Sequence, residues 1–224
     1  MWSYGGWIVD SNGKVGLDSP GSIKAAQYWA MLKRENLISP EVLSMGFAEV
    51  KESIENGNVS MAVPMWDAAA AILRGPNAKN VKLAMIPGVK QKNGNILRTP
   101  FNHGWTLAIN AASKNPKAAW RFLSYGLGKQ GSIYYFQNCG NIPARRSTVQ
   151  LLNEKKIPTK YYVPEGLPQL MIDSISKGYS EPAVTYYSAL HETVNVALTK
   201  ILSDVSPKEA LEQASQTVRE LQSN

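Results

Sequence analysis

The side chains best suited to chemistry here are amphipathic aromatics set beside small polar groups. The chain holds six Trp and ten Tyr against four Phe, a bias toward rings with an apolar face and a hydrogen-bonding edge. They gather in short stretches. Phe101-Asn102-His103-Gly104-Trp105-Thr106-Leu107-Ala108-Ile109-Asn110 reads as a polar, aromatic loop running into a short buried strand. Trp66-Asp67 follows a strand end and opens a helix, and Trp7 follows Gly5-Gly6. Tyr186-Tyr187 precede a long helix, and Arg145 follows the loop Gly140-Asn141-Ile142-Pro143. Rings of this kind stack on the C–H face of a sugar, while planar polar groups ring its hydroxyls. Gly104 would let the backbone approach such a ligand. Each residue also has a plain structural reading. Trp66, Trp105 and Trp7 can pack a core, Asp67 can cap a helix, and Arg145 can form a surface ion pair. One of Tyr186 and Tyr187 should face inward. His103 can equally be a surface residue, and His191 falls on the polar side of its helix.

Other chemistries find little support. Cys139 is the only cysteine, so no internal disulfide and no cysteine zinc site is expected, and a buried structural thiol is the reading. No P-loop and no cluster of His or Cys is present, so no metal, nucleotide or other cofactor is expected. A glycoside-acting enzyme would need two facing carboxylates, and Asp67 is the only acid beside a proposed contact. The net charge is +7 with a pI near 9.4, yet the basic residues are spread out. Lys155-Lys156 and Arg145-Arg146 are the densest pairs, with no aromatic interleaving, so nucleic acid is not an expected partner.

The chain has 224 residues and 44% hydrophobic content, enough for one large domain or two small ones with a real core. No apolar run approaches the roughly 18 residues of a membrane span. The opening residues carry neither a basic region nor a long apolar stretch, so no signal peptide is expected in this chain.

Positioning these residues requires an ordered set of elements. Asp10-Ser11-Asn12-Gly13 is a turn between the β-prone pieces Trp7–Val9 and Lys14–Leu17. Ser19-Pro20 opens a helix to about Glu35, with Ile23, Ala26 and Ala30 as its stripe. A short helix runs from Phe47 to Glu55 and ends at Asn56-Gly57. Val59–Val63 and Val81–Ile86 read as strands, with an Ala-rich helix after Trp66 between them. Asn93-Gly94 is a hairpin tip. Asn115-Pro116 opens a helix to Gly126, with Asn115 as its cap. Further helices are expected over 129–136, 147–155, 167–177 and up to Leu202. Leu190, Val194, Ala197 and Ile201 form the stripe of that last one. Ser206-Pro207-Lys208-Glu209 reads as a capping box for a final helix burying Ala210, Ala214, Val218 and Leu221. Trp29 and Trp120 lie on helix stripes and are expected in the core.

The order of these pieces resembles a known family. Glu55-Asn56-Gly57-Asn58-Val59-Ser60-Met61-Ala62-Val63 with Trp66 resembles an element of the family 1 extracellular solute-binding proteins, the sugar-binding subunits of ABC importers. Trp105 to Leu123, through Ser113-Lys114-Asn115-Pro116 and Ala119-Trp120-Arg121-Phe122, is similar to another. Gly140-Asn141-Ile142-Pro143-Ala144-Arg145 and the closing helix from Ser206 add two more. The resemblance covers nearly the whole chain, and it is to the C-terminal part of the family.

The resemblance implies an α/β fold of the periplasmic-binding-protein-like type II class, represented by its C-terminal portion, helix-rich with few short strands. It implies that 1–86 and 140–224 belong to the C-terminal lobe and 87–139 to the return segment of the N-terminal lobe, the rest of that lobe being absent. It implies a carbohydrate ligand between lobes, an ABC permease as membrane partner, no catalysis, and an extracytoplasmic place for the full-length family. Aromatics at the places of Trp66, Trp7 and Tyr186-Tyr187 then lie near the sugar. The His103-Gly104-Trp105 loop faces the cleft. The alternatives are a non-binding truncated domain that self-associates and a glycoside-acting enzyme; the further partners considered are a second copy of the chain and the missing N-terminal half.

Overall fold

The computed structural model describes residues 1–63, 65–154 and 157–223. Pro64 lies outside them, as do Lys155 and Lys156, one of the two densest basic pairs and the expected end of one helix. In chain order the helices are α1 (Pro20–Arg34), α2 (Phe47–Glu55), α3 (Trp66–Arg74), α4 (Pro116–Gly126), α5 (Lys129–Cys139), α6 (Arg146–Asn153), α7 (Leu167–Lys177), α8 (Tyr187–Leu202) and α9 (Pro207–Ser223). Among the described residues a single antiparallel ladder, β1 (Val89–Lys90) with β2 (Ile96–Leu97), pairs Val89 with Leu97 and Lys90 with Ile96. The Asn93-Gly94 tip turns it, with Gly94 at φ +84°. Among the described residues no helix is long and apolar enough to cross a membrane.

The chain divides into two compact units. The first takes Met1–Met45, Pro87–Asn102 and Gly178–Asn224; the second takes Gly46–Ile86 and His103–Lys177.

The first unit is built on α1, α8 and α9. Ser19 caps α1, its hydroxyl accepting from the Ser22 amide at 3.3 Å. The apolar stripes meet in one cluster of Leu17, Ala26, Leu190, Ala197, Ile201, Ala210, Leu211, Ala214 and Val218, joined by Val9 and Val15. The expected turn is present: Asp10 Oδ1 accepts from the amides of Asn12 and Lys14 at 2.8 and 2.9 Å. The flanking β-prone pieces reduce to one bridge, Val9 to Val15. Gly6 and Gly21 let two backbones touch, since a Cβ on Gly21 would lie 2.4 Å from the Gly6 nitrogen.

The second unit centres on Leu73, Phe136, Leu152, Leu167 and Met171. Tyr161 sits edge-on to Phe136, with centroids 5.9 Å apart, and donates to the Phe136 carbonyl at 2.8 Å. Burial pushes its phenol well above the usual tyrosine range. Ala68, Ala69, Ala70, Ile72 and Leu73 bury α3.

Several expectations are corrected here. Val59–Val63, Val81–Ile86 and the stretch entered by Trp105 are not strands, and Trp105 and Leu107 are exposed. The alternating pattern is present in each, but a strand exists only when a neighbour completes its ladder. Asn115 precedes α4 without a side-chain cap bond; instead its amide donates to the Ser113 hydroxyl at 3.3 Å. Trp29 and Trp120 are exposed rather than core, because no element covers their side of α1 and α4 among the described residues.

Asp18 and Arg219 pair at 2.6 Å between the segment leading into α1 and the last helix. Burial raises the Asp18 carboxyl, but hydrogen bonding and charge from Arg219 outweigh it and hold the group below its ordinary 3.8. A depressed folded value means the contribution is present above the unfolded value and is lost as pH falls through the folded one. We therefore expect the midpoint of thermal unfolding to drop more steeply below about pH 4 in the native chain than in Asp18→Asn. Superimposable acid profiles would show that the pair contributes nothing.

Candidate functional site

The second unit gathers most of the candidate residues. Trp66 is the first residue of α3 and Asp67 the second, with Met65 in the cap position. Asp67 is therefore not the N-cap; as an acid in the first turn it still meets the positive end of the helix. Its carboxylate is the acceptor for Trp105 Nε1 at 3.4 Å. His103 lies edge-on to Trp105, with ring centroids 6.5 Å apart. Trp105 is itself 79% exposed, so an extended, unburied loop brings an indole, an imidazole and a carboxylate together.

Trp66 serves a different purpose from Trp105. Its ring packs against the core of the unit, and its Nε1 donates to the Gly140 carbonyl at 2.9 Å. The Gly140 amide donates to the Phe136 carbonyl at 2.9 Å, closing α5 with Gly140 at φ +77°. Arg74 at the end of α3 donates to the Cys139 carbonyl. The start and end of α3 thus both clasp the loop after α5. Cys139 is only half-buried, which corrects the expectation of a buried thiol. Gly104 is exposed, and a Cβ added there would meet nothing within 4 Å. Arg145 precedes α6, exposed and without an ion pair among the described residues.

The remaining candidates belong to the first unit, in separate settings. Trp7 Nε1 donates to the Lys14 carbonyl at 3.2 Å, and its ring lies against Gly16, where a Cβ would come within 2.2 Å. Tyr186 packs against the core of the unit and accepts from Gln222 at 3.0 Å. Tyr187 instead lines a shallow apolar pocket with Ile8, Pro182, Leu190 and Val194. It donates to Glu181 and lies 6.1 Å from the His191 ring. The hydrogen bond to Glu181 raises the Tyr187 phenol above its ordinary value. The Asn102 amide donates to the Tyr179 carbonyl at 2.8 Å.

Sequence reasoning missed one aromatic group. Trp2 stacks on Tyr179 and Phe101 at 4.7 and 6.0 Å between centroids. Only the aromatic richness of the opening residues hinted at it, because partners about a hundred positions apart leave no local signal.

Among the described residues no group of three or more His, Cys, Asp or Glu is placed to hold a metal. The family of bacterial extracellular solute-binding proteins matches over residues 1–133, more than half of the sequence. The chain belongs to that family. The maltodextrin-binding protein MdxE of Bacillus subtilis is 24% identical over 173 residues, covering 68% of this chain and 37% of that protein. Among solved structures, maltose-bound MalE3 of T. maritima superposes with a TM-score of 0.82 at 20% identity, covering 98% of this chain and 55% of that one. The GacH receptor of Streptomyces glaucescens, solved unliganded and with acarbose, gives 0.76 at 20% identity, covering 98% and 54%. These likenesses establish the type II periplasmic-binding-protein fold, and the chain spans about half of those structures and less of its curated relative. The relatives are binding proteins, not enzymes, and the family is an extracellular one.

The clasp on Gly140 is testable. Gly140→Ala places a Cβ at positive φ and 3.2 Å from the Ala70 Cβ, so we expect a loss of roughly 1–2 kcal/mol. Gly104→Ala should change stability by less than about 0.5 kcal/mol. Urea unfolding measures both, and equal midpoints would show that the left-handed turn carries no constraint.

Proposed function

We propose that this chain supplies carbohydrate-binding surface to the solute-binding protein of an ABC importer. The observation that carries the reading is the group of Trp105, His103 and Asp67 beside Trp66, on a fold whose solved neighbours carry maltose and acarbose. The exposed Trp105 ring offers a stacking face, and Asp67, already an acceptor for an indole N–H, can accept from sugar hydroxyls. Trp66 holds the loop of Gly140 while presenting the rest of its ring. Within the second unit Gly104 and Arg145 lend backbone and polar groups beside this group, and Asn102, Trp7, Tyr186 and Tyr187 are separate candidate contacts of the first unit. Residues 1–86 and 140–224 are assigned to the C-terminal lobe and 87–139 to the return segment of the N-terminal lobe. Closure of lobes about the sugar is then the signal a membrane permease reads. The place of action is extracytoplasmic.

Tryptophan fluorescence titrated with maltose, maltotriose and unrelated monosaccharides tests the reading. A saturable change with one sugar class is expected. Trp105→Ala and Trp66→Ala should weaken it at least about tenfold, a cost near 1.4 kcal/mol. A folded chain that answers no sugar would overturn the proposal, as would unchanged affinity in both variants.

A further inference from the structure

The net charge of the chain is carried unevenly. Residues 68–153 hold twelve Lys and Arg and no Asp or Glu. By sequence, the second unit carries fourteen Lys and Arg against seven Asp and Glu, and the first carries ten of each, so the whole net charge of +7 lies on the second. A surface dominated by one sign raises the local concentration of ligands of the opposite sign.

Three guanidinium groups of that segment bracket one loop, the stretch from Gly140 to Arg145. Trp66 and Arg74 stand at opposite ends of α3, about 12 Å apart along its axis. They converge on neighbouring carbonyls: Trp66 Nε1 donates to Gly140 at 2.9 Å, and Arg74 donates to Cys139. Arg74 Nη1 lies 3.6 Å from the place of a Cβ built on Gly140. Arg74 is exposed, and one carbonyl takes only part of a guanidinium's donors. Asp67, the acid beside Trp66, is at the other end of α3 and already accepts from Trp105.

At the far end of the loop Arg145 stands in the cap position of α6 and Arg146 is its first residue. Both are exposed, and among the described residues neither has an ion pair. The cap position makes no side-chain bond. Among the described residues the amides of Arg146 and Ser147 have no partner, so the positive end of α6 keeps free donors. Thr148, in the same turn, is fully buried and its hydroxyl has no partner. Helical side chains lean toward the N-terminus, which sets that unspent hydroxyl over the first turn. Five residues span at most about 18 Å, so an extended ligand can touch both ends of the loop and a lone ion cannot.

We propose that the saccharide taken by the second unit is an acidic one. Its carboxylate or phosphate is held along the loop 140–145, by Arg74 at one end and by Arg145, Arg146 and the open first turn of α6 at the other. This rests on the carbohydrate reading above and narrows it to a class. A carboxylate or phosphate accepts paired N–H bonds from a guanidinium, while the sugar ring stacks on indole. A neutral sugar would leave the three cations without a counter-charge.

The test is a tryptophan-fluorescence titration of the full chain with matched saccharides. Digalacturonate is set against its methyl ester, and maltose phosphate against maltose, so each pair differs in charge on the same rings. Acetate and inorganic phosphate alone complete the set. At low salt the acidic member of at least one pair should bind at least about tenfold more tightly, and the pair that answers identifies the anion. The preference should shrink as salt rises from about 0.01 M to about 1 M and the screening length falls from about 30 Å to about 3 Å. The double variant Arg145→Gln, Arg146→Gln, at exposed positions, should cut the preference at least about fivefold. Arg74→Lys, which keeps the charge and loses the fork, should lower it as well. Equal affinities within both pairs would overturn the proposal and leave the carbohydrate reading standing. So would a preference untouched by all of these substitutions, or a free anion that binds as tightly as the sugar bearing it. A folded chain that answers no saccharide, neutral or acidic, fails the proposed function and this inference with it.

Discussion

An α-helix closes its backbone hydrogen bonds within one segment, whereas a strand leaves every N–H and C=O waiting for a neighbour. That difference governs this molecule. Its helices form and pack, while the extended stretches 59–63, 81–86 and 104–109 carry strand-like alternation without a ladder. Among the described residues only the hairpin turned at Asn93-Gly94, whose two strands are a few residues apart, completes its own pairing.

Where elements can pack, they do so by ordinary apolar burial. In the first unit, α1, α8 and α9 join stripes around Leu17 and Val218. Small residues such as Ala26, Ala197 and Ala214 let the helices approach closely. In the second, Phe136 is held from two directions, by Leu73 and its apolar neighbours and by the Tyr161 hydroxyl on its carbonyl. The same carbonyl accepts from Gly140, so the core and the clasp on the loop share one atom. Trp66 is thereby tied to the core, and Trp105 is tied to α3 by its bond to Asp67.

The candidate site was legible in part. Residue types and the resemblance named Trp66, Asp67, His103 and Trp105 as separate candidates, and only the structure shows that Trp105 bonds Asp67 and lies edge-on to His103. The role of Trp66 as a clasp on Gly140 was not legible, because it depends on a hydrogen bond across 74 positions. Nor could the sequence separate Tyr186, which turns to the core, from Tyr187, which lines a pocket with His191. Consecutive helical residues differ by about 100° in direction, and only the neighbouring element decides which of the two faces it.

What the sequence determined by itself is the local part. Ser19-Pro20, Asn93-Gly94 and the Asp10 turn each satisfy their backbone through residues close in the chain, and the stripes of α8 and α9 are written in their own periodicity, although part of what covers them, Leu17 and α1, comes from the other end of the chain. The stretches that failed expectation share the opposite property. Val59–Val63, Val81–Ile86, Trp105–Ile109, and the exposed faces of Trp29 and Trp120 all need a partner from outside their own segment. A pattern of residue types states what such a segment could pair with. Whether a partner is present is decided by the tertiary structure alone, because a ladder and a buried face are properties of two elements and never of one.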